Sequence, residues 1–300
     1  MYMPVPVDST MPGRQGRTRR PMANPNSPSY AARLRPVSSR QNALVKQLRK
    51  AFAQSEACED GSVAVEGVTL VGEALRSHRP LRAIFVSESG VARVSALLAA
   101  LPEGVEALLL PDDVFHSAVA TQSPQGVAAL VMPLESTLEG LFPAAGEKAP
   151  TPLILGCAGL QDPGNLGTIL RSSEAFGATG VLCTEGTVSA ANPKVARASA
   201  GSVFRLPCVR STTAEAVAAL KQHRVQIAVT SSHGGRALHE CDLRRPVAIF
   251  IGNEGQGVPE ELMAAADERI AIPHSAQVES LNAGIAASIL LYEAWRQRAR

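Results

Sequence analysis

VAIFIGNEGQGVPEEL, residues 247–262, opens as an apolar, partly β-branched run from Val247 to Ile251 and then gives way to Gly252, Asn253, Glu254, Gly255, Gln256 and Gly257. The apolar run has the length and composition of a buried strand. Glycine at its tip lets backbone N–H groups approach a ligand or another stretch of chain with no Cβ in the way. The spacing G-x-x-G-x-G is neither the dinucleotide fingerprint nor a phosphate loop, and no Lys-Ser/Thr pair follows it. Glu254 among the glycines would repel a phosphate and is better suited to positioning a cation, a backbone or a hydroxyl.

Outward from this stretch, strands and helices alternate. PLILGCAG (from Pro152) reads as a strand, NLGTILRSSEAFGA (from Asn165) as a helix and TGVLCTEG (from Thr179) as a strand. PKVARASAGSVF is a weak helix, TAEAVAALKQH a stronger one, and VQIAVTSS a strand. After the 247–262 stretch come a short helix from Pro259, the strand RIAIP and a long C-terminal helix from Ser280. Such alternation implies a parallel sheet covered on both faces, where ligands bind at the carboxyl ends of the strands. A smaller alternation precedes it. A helix carries Leu44, Val45, Leu48 and Phe52 at helical spacing, and then come the strand VAVEG, the helix VTLVGEALRS, the strand LRAIFVS, a further helix, the strand EALLL and the segment QGVAALVM.

Three hundred residues and 45% apolar content predict about two domains. The division expected is a disordered basic arm at 1–36, a small α/β domain at 37–133, a Pro/Gly-containing linker at 134–150 and a larger domain at 151–300. No long uncharged apolar run and no apolar leader occur, so a cytoplasmic protein without a membrane span is expected. The five cysteines are widely spaced, with no C-x-x-C pair and no His at ligand spacing, so no metal site is expected. Residues 1–50 hold ten Lys/Arg and one acid, Asp8, a net +9 in a chain whose total is +2, so the other 250 residues carry −7. That arm is compatible with holding a polyanion such as RNA and equally with being a passive extension.

Two further clusters bear on chemistry. In DPGNLGTILRSSEAFGATG, residues 162–180, Leu166, Ile169, Leu170 and Phe176 form an apolar stripe, with Arg171 on the other side beside Asn165 and Thr168. Asn165 is a candidate N-cap and Gly177 a candidate helix-ending residue. In the C-terminal segment, Leu281, Ile285, Ile289 and Tyr292 recur at helical spacing, and Ser280 and Asn282 occupy the first turn. Taken alone, Arg171 reads as a solvated side chain and Ser280 as a cap.

Together, N-L-G-T-I-L-R with A-F-G, then I-G-N-E-G-x-G, then I-P-x-x-x-x-x-S-L-N resemble the ordered signature motifs of the SpoU, or TrmH-like, RNA 2′-O-ribose methyltransferases of the SPOUT superfamily. The earlier region, with SSRQNALVKQL, VEG, AIFVSES and SPQGVAAL, is similar to the L30e-like substrate-binding domain of that family. The resemblance implies an α/β SPOUT-type parallel sheet with a C-terminal trefoil knot, S-adenosyl-L-methionine as cofactor, a homodimer formed through the knotted domain, and RNA as substrate. Ribosomal RNA is favoured over tRNA because the L30e-like domain usually accompanies rRNA members.

By position, the resemblance assigns Asn165, Arg171, Glu254, Ser280 and Asn282 to catalysis, and Thr230, Gly252, Ile272 and Leu281 to the cofactor pocket. It implies that the Gly252–Gly257 turn is a knot loop, kept bare for passing backbone and for adenosine. Trp295 on the last helix suits either an interface or core packing. Two other readings compete: an RNA-binding or ribosome-assembly factor that kept the fold without the chemistry, and a Rossmann oxidoreductase. The first is opposed by the intact polar set, the second by the missing G-x-G-x-x-G.

Overall fold

The computed structural model describes residues 33–143, 150–231, 234–253, 255–275 and 277–299. Most of the basic arm and Glu254 lie outside them.

The first half of the chain builds β1 (Leu34–Pro36), α1 (Ala43–Gln54), β2 (Val63–Glu66), α2 (Val68–Arg76), β3 (Leu81–Ser87), α3 (Val91–Ala99), β4 (Glu106–Leu110), α4 (Asp112–His116) and β5 (Val127–Val131). Its five strands lie in the order β1-β4-β3-β5-β2. The sheet is mixed, because β5 runs antiparallel to both β2 and β3. Leu44, Val45, Leu48 and Phe52 of α1 are all buried on one face with Phe115 of α4, while Leu70 and Val71 of α2 and Val94 of α3 cover the other.

The second half builds β6 (Leu153–Ala158), α5 (Pro163–Ala175), β7 (Gly180–Cys183), α6 (Pro193–Ala198), β8 (Cys208–Arg210), α7 (Thr213–Gln222), β9 (Gln226–Thr230), β10 (Arg236–Ala237), β11 (Val247–Gly252), α8 (Glu260–Ala265), β12 (Glu268–Ala271) and α9 (Ala283–Arg298). The strand order is β10-β12-β9-β11-β6-β7-β8, and every pairing is parallel. All six residues of β11 are buried, as a strand covered on both faces requires. Helices α5 and α9 pack on one face with Leu166, Ile169, Leu170, Leu290 and Leu291, and α7 with α8 on the other with Leu220 and Leu262. Among the described residues no helix is long and apolar enough to cross a membrane, and no cluster of His, Cys, Asp or Glu could hold a metal.

Differences from the sequence reading have local causes. Strands β1, β8 and β10 span three, three and two residues, too short to show a period. Order begins before Val37 because Leu34 pairs with Ala107 of β4. In the 134–150 segment, Leu141 is fully buried, and Phe142 stacks on His223 with ring centroids 4.0 Å apart. The period Ile285, Ile289 and Tyr292 finds α9 but names its outer face, since these are 54%, 36% and 49% exposed. The inner face is narrower, with Ala283, Ala287 and Ala294 letting α9 lie close to the sheet.

Candidate functional site

Helix α5 begins three residues earlier than an Asn165 cap requires. Asp162 is the cap, its Oδ1 accepting from the Asn165 amide at 2.7 Å, with Pro163 at the first helical position. A carboxylate accepts that bond well, and proline there forfeits only an N–H with no intrahelical partner. Gly177, at φ +73°, follows the helix as expected. Its amide donates to the Glu174 carbonyl and that of Ala178 to Ser173, the paired closure of a Schellman end.

Asn165, released from capping, is nearly buried. Its Oδ1 accepts from Nδ2 of Asn282 at 2.9 Å across 117 residues of chain. Asn282, not Ser280, caps α9, its Oδ1 accepting from the amides of Gly284 at 3.0 Å and Ile285 at 3.2 Å. One asparagine therefore orders the start of α9 and ties it to the first turn of α5. Below that contact, a Cβ on Gly284 would lie 3.1 Å from Thr168 Cγ2, and the Ser172 and Ser288 hydroxyls meet at 2.7 Å. The face that meets α9 runs through Asn165, Thr168 and Ser172, and Arg171, three residues after Thr168, lies at its exposed edge. Arg171 is exposed, and none of the described residues forms a hydrogen bond or ion pair with it.

A cavity of about 410 Å³ opens at the carboxyl ends of β9, β11 and β12. Thr230, Gly252, Ile272, Leu281 and Ser280 line it, together with His274, which the sequence reading passed over. The His274 Nδ1 lies 2.7 Å from the Ile272 carbonyl oxygen, which holds the ring at the rim. The Thr230 hydroxyl donates to the Phe250 carbonyl at 3.2 Å, joining two of the strand ends. Apolar walls from Ile251, Ile272 and Leu281, beside backbone left bare by Gly252, Gly255 and Gly257, suit a flat nucleoside with hydrogen-bonding edges.

The glycine turn closes on itself. Asn253 and Gly257 exchange backbone bonds of 3.1 and 2.8 Å, and a Cβ on Gly252 would stand 2.0 Å from the Gly257 carbonyl carbon. Gly252 is thus required by the return limb of its own loop, five residues on. Asn253, also passed over, holds this shape: its Oδ1 accepts from the Gly255 amide at 2.8 Å, and its Nδ2 donates to the Gly159 carbonyl beyond β6 at 3.1 Å. An Asn immediately after a strand with Gly two residues on is the local signal that could have found it. The four residues expected at the cofactor and Ser280 therefore meet in one cavity, and Asn165 and Asn282 meet beside it. Glu254 falls outside the described residues.

Two family sequence patterns match the chain: the SpoU rRNA Methylase family over residues 152–292, and RNA 2′-O ribose methyltransferase substrate binding over residues 64–137. A 23S rRNA (guanosine(2553)-2′-O)-methyltransferase of Bacillus subtilis is 32% identical over 259 residues, covering 86% of this chain and 98% of its own. An AdoMet-bound rRNA methyltransferase from Sinorhizobium meliloti superposes with a TM-score of 0.76 at 30% identity, covering 88% of this chain and 98% of that one. The SpoU methyltransferase AviRb from Streptomyces viridochromogenes, in complex with AdoMet, gives 0.75 at 26% identity, with 86% and 99% covered. A match to the family pattern over residues 152–292, with 32% identity across nearly the whole length of a relative, makes the chain a member of the SpoU rRNA methylase family.

Proposed function

We propose that this chain transfers a methyl group from S-adenosyl-L-methionine to a ribose 2′-OH of RNA, with ribosomal RNA as the substrate and Arg171 at the reacting centre. The observation that carries the assignment of residues is the Asn165–Asn282 bond, because it joins the first turn of α9, which lines the cavity, to the helix that presents Arg171.

Thr230, Gly252, Ile272 and Leu281 would hold S-adenosyl-L-methionine, which would supply an electrophilic methyl on a sulfonium. As the ribose oxygen forms the new C–O bond, the methyl–sulfur bond would break and S-adenosyl-L-homocysteine would leave with the electron pair, while the hydroxyl must lose its proton. A guanidinium stays protonated at working pH and is a poor base, so Arg171 holds the adjacent phosphate by a two-point contact and lowers the cost of developing alkoxide charge. The proton leaves to the phosphate or to water. Asn165 and Glu254 orient Arg171 and the ribose, and Ser280 and Asn282 hold either the target nucleotide or the knot at the start of α9, the bonds of Asn282 to Asn165, Gly284 and Ile285 supporting the second.

Residues 37–133, with β1 (Leu34–Pro36) completing their sheet, serve as the L30e-like substrate-binding domain, with 134–150 as linker and 151–300 as the methyltransferase domain. The basic arm ahead of β1 carries an excess of positive charge compatible with phosphate contacts, and the work on ribosomal RNA is cytoplasmic. We take the C-terminal chain to be threaded as a trefoil knot. The insertion of β11 between β6 and β9, and the return of α9 against α5, support that path. A homodimer through α9 is supported by its exposed apolar stripe. The test is to map methylated riboses in total RNA from a deletion strain and its parent, then to restore the missing mark with purified protein, ribosomal RNA and S-adenosyl-L-methionine. No missing mark, or a mark confined to tRNA, would overturn the assignment.

A further inference from the structure

Arg205 bonds side chains from two helices on different sheets, α5 of the second and α2 of the first. Its Nε and Nη2 donate to the two carboxylate oxygens of Glu174 at 2.5 and 2.9 Å, a planar pairing onto the last turn of α5. Its Nη1 donates to Glu73 Oε2 at 2.7 Å and reaches the Ser77 hydroxyl at 3.3 Å, both on the α2 side of the first sheet. Glu174 follows Arg171 by three residues, about 4.5 Å along the helix axis. The guanidinium therefore grips the helix that carries Arg171 and the sheet that binds substrate.

The surrounding segment is built for the same contact. After α6 the chain turns through Ala200 at φ +50° and Gly201 at φ +91°, then coils once over Ser202–Phe204. Phe204 is 1% exposed and, with Ala196, sits in a core cluster with Val65, Leu70, Val71 and Ala74 of the first sheet. A Cβ on Gly201 would lie 2.6 Å from Glu73 Cβ, so α2 presses directly on the turn. Gly167, on α5, faces the other side of α6, where a Cβ would stand 2.4 Å from Ala198 Cβ. A segment wedged this closely between α2 and α5 transmits the position of one to the other.

The hydrogen bond from Arg205 holds the Glu174 carboxyl below its ordinary range despite partial burial. Burial works to raise the Glu73 carboxyl, but the contacts from Arg76 and Arg205 carry it below its ordinary range. Both carboxylates are thus charged partners at neutral pH.

We propose that Arg205 is a positioning residue for methyl transfer, locking the substrate-binding sheet to α5 so that a nucleotide delivered by the first sheet meets Arg171 in register. The inference rests on the proposed function. It assigns to Arg205 no contact with RNA or with S-adenosyl-L-methionine.

The experiment compares the parent with Arg205→Ala, Arg205→Lys and Glu73→Gln, measuring kcat and KM on the ribosomal RNA substrate. Calorimetric affinity for S-adenosyl-L-methionine, RNA affinity by gel shift and thermal melting are measured on the same proteins. Misplacing reacting groups by an ångström lowers turnover with little effect on binding, so Arg205→Ala should lose about 10- to 100-fold in kcat with both affinities kept within about twofold. Arg205→Lys, which cannot span both carboxylates, should recover only part of the rate, and Glu73→Gln should reproduce the loss in milder form. Unchanged kcat in Arg205→Ala and Glu73→Gln overturns the proposal. So does a loss of kcat accompanied by equal losses of cofactor affinity and melting temperature, which is the pattern of a merely structural contact. A parent protein that methylates no RNA refutes the proposed function instead, and the two failures are told apart by the parent's own turnover.

Discussion

Replacing Gly252 by alanine adds one methyl group where the β11 tip meets its own loop. The new Cβ would stand 2.0 Å from the Gly257 carbonyl carbon, 2.1 Å from its oxygen and 2.3 Å from the Val258 nitrogen, all backbone atoms that no rotamer change can clear. Ordinary contact begins near 3.4 Å, so the return limb must retreat by about 1.4 Å. That retreat breaks the paired Asn253–Gly257 bonds of 3.1 and 2.8 Å. At about 0.5–1.5 kcal/mol each, their loss sums to about 1–3 kcal/mol. The loop forms one wall of the cavity, so the same figure appears as weaker cofactor binding, roughly 5- to 150-fold in affinity. Calorimetric titration with S-adenosyl-L-methionine measures it, circular dichroism confirms the fold, and a gel shift with an RNA fragment should be unchanged. Normal cofactor affinity in the folded variant, or lost RNA binding with cofactor binding intact, would show that this turn does not wall the cofactor site.

Arg171→Ala should keep fold and cofactor affinity while turnover drops about 100- to 1,000-fold, and Arg171→Lys should fail similarly because an ammonium lacks the planar fork; near-normal single-turnover rates would remove Arg171 from the mechanism. Ile289→Glu, on the exposed stripe of α9, should convert a dimer to a monomer by light scattering without changing the melting temperature of the isolated chain; a parent that is already monomeric at micromolar concentration would end that reading. Glu174 has a folded pKa below its ordinary 4.5, so its pairing stabilises the fold above about pH 4.5 and is lost as pH falls through the folded value. Denaturant titrations should accordingly show Glu174→Gln less stable than the parent at pH 7 and converging with it in acid, whereas a gap that widens toward low pH would contradict the sign.

Much of the candidate site was legible in the sequence because its pieces are local. A capped helix, a glycine turn at a strand tip and a polar first turn each announce themselves within a few residues, and the order of the three motifs carried the family resemblance. The same locality explains the misreadings. Asn165 and Asp162 both satisfy the rules for an N-cap, and only the chain path shows that Asp162 faces the free amides while Asn165 turns inward to Asn282. The α9 period was correctly helical, yet periodicity does not say which face is the core. That choice fell to the small residues Ala283, Gly284 and Ala287, which allow closer packing than isoleucine would.

By itself the sequence determined the elements, the parallel alternation of the second half and the residue types of the site, since these follow from hydrophobic period, backbone freedom and capping chemistry along neighbouring residues. Tertiary structure alone decided the partnerships. Asn282 meets Asn165 across 117 positions and Arg205 meets Glu73 across 132, and such bonds form only once the sheets have brought distant backbone together. A carboxylate or an amide has many candidate partners in an unfolded chain, and packing at near-crystalline density leaves each of them one.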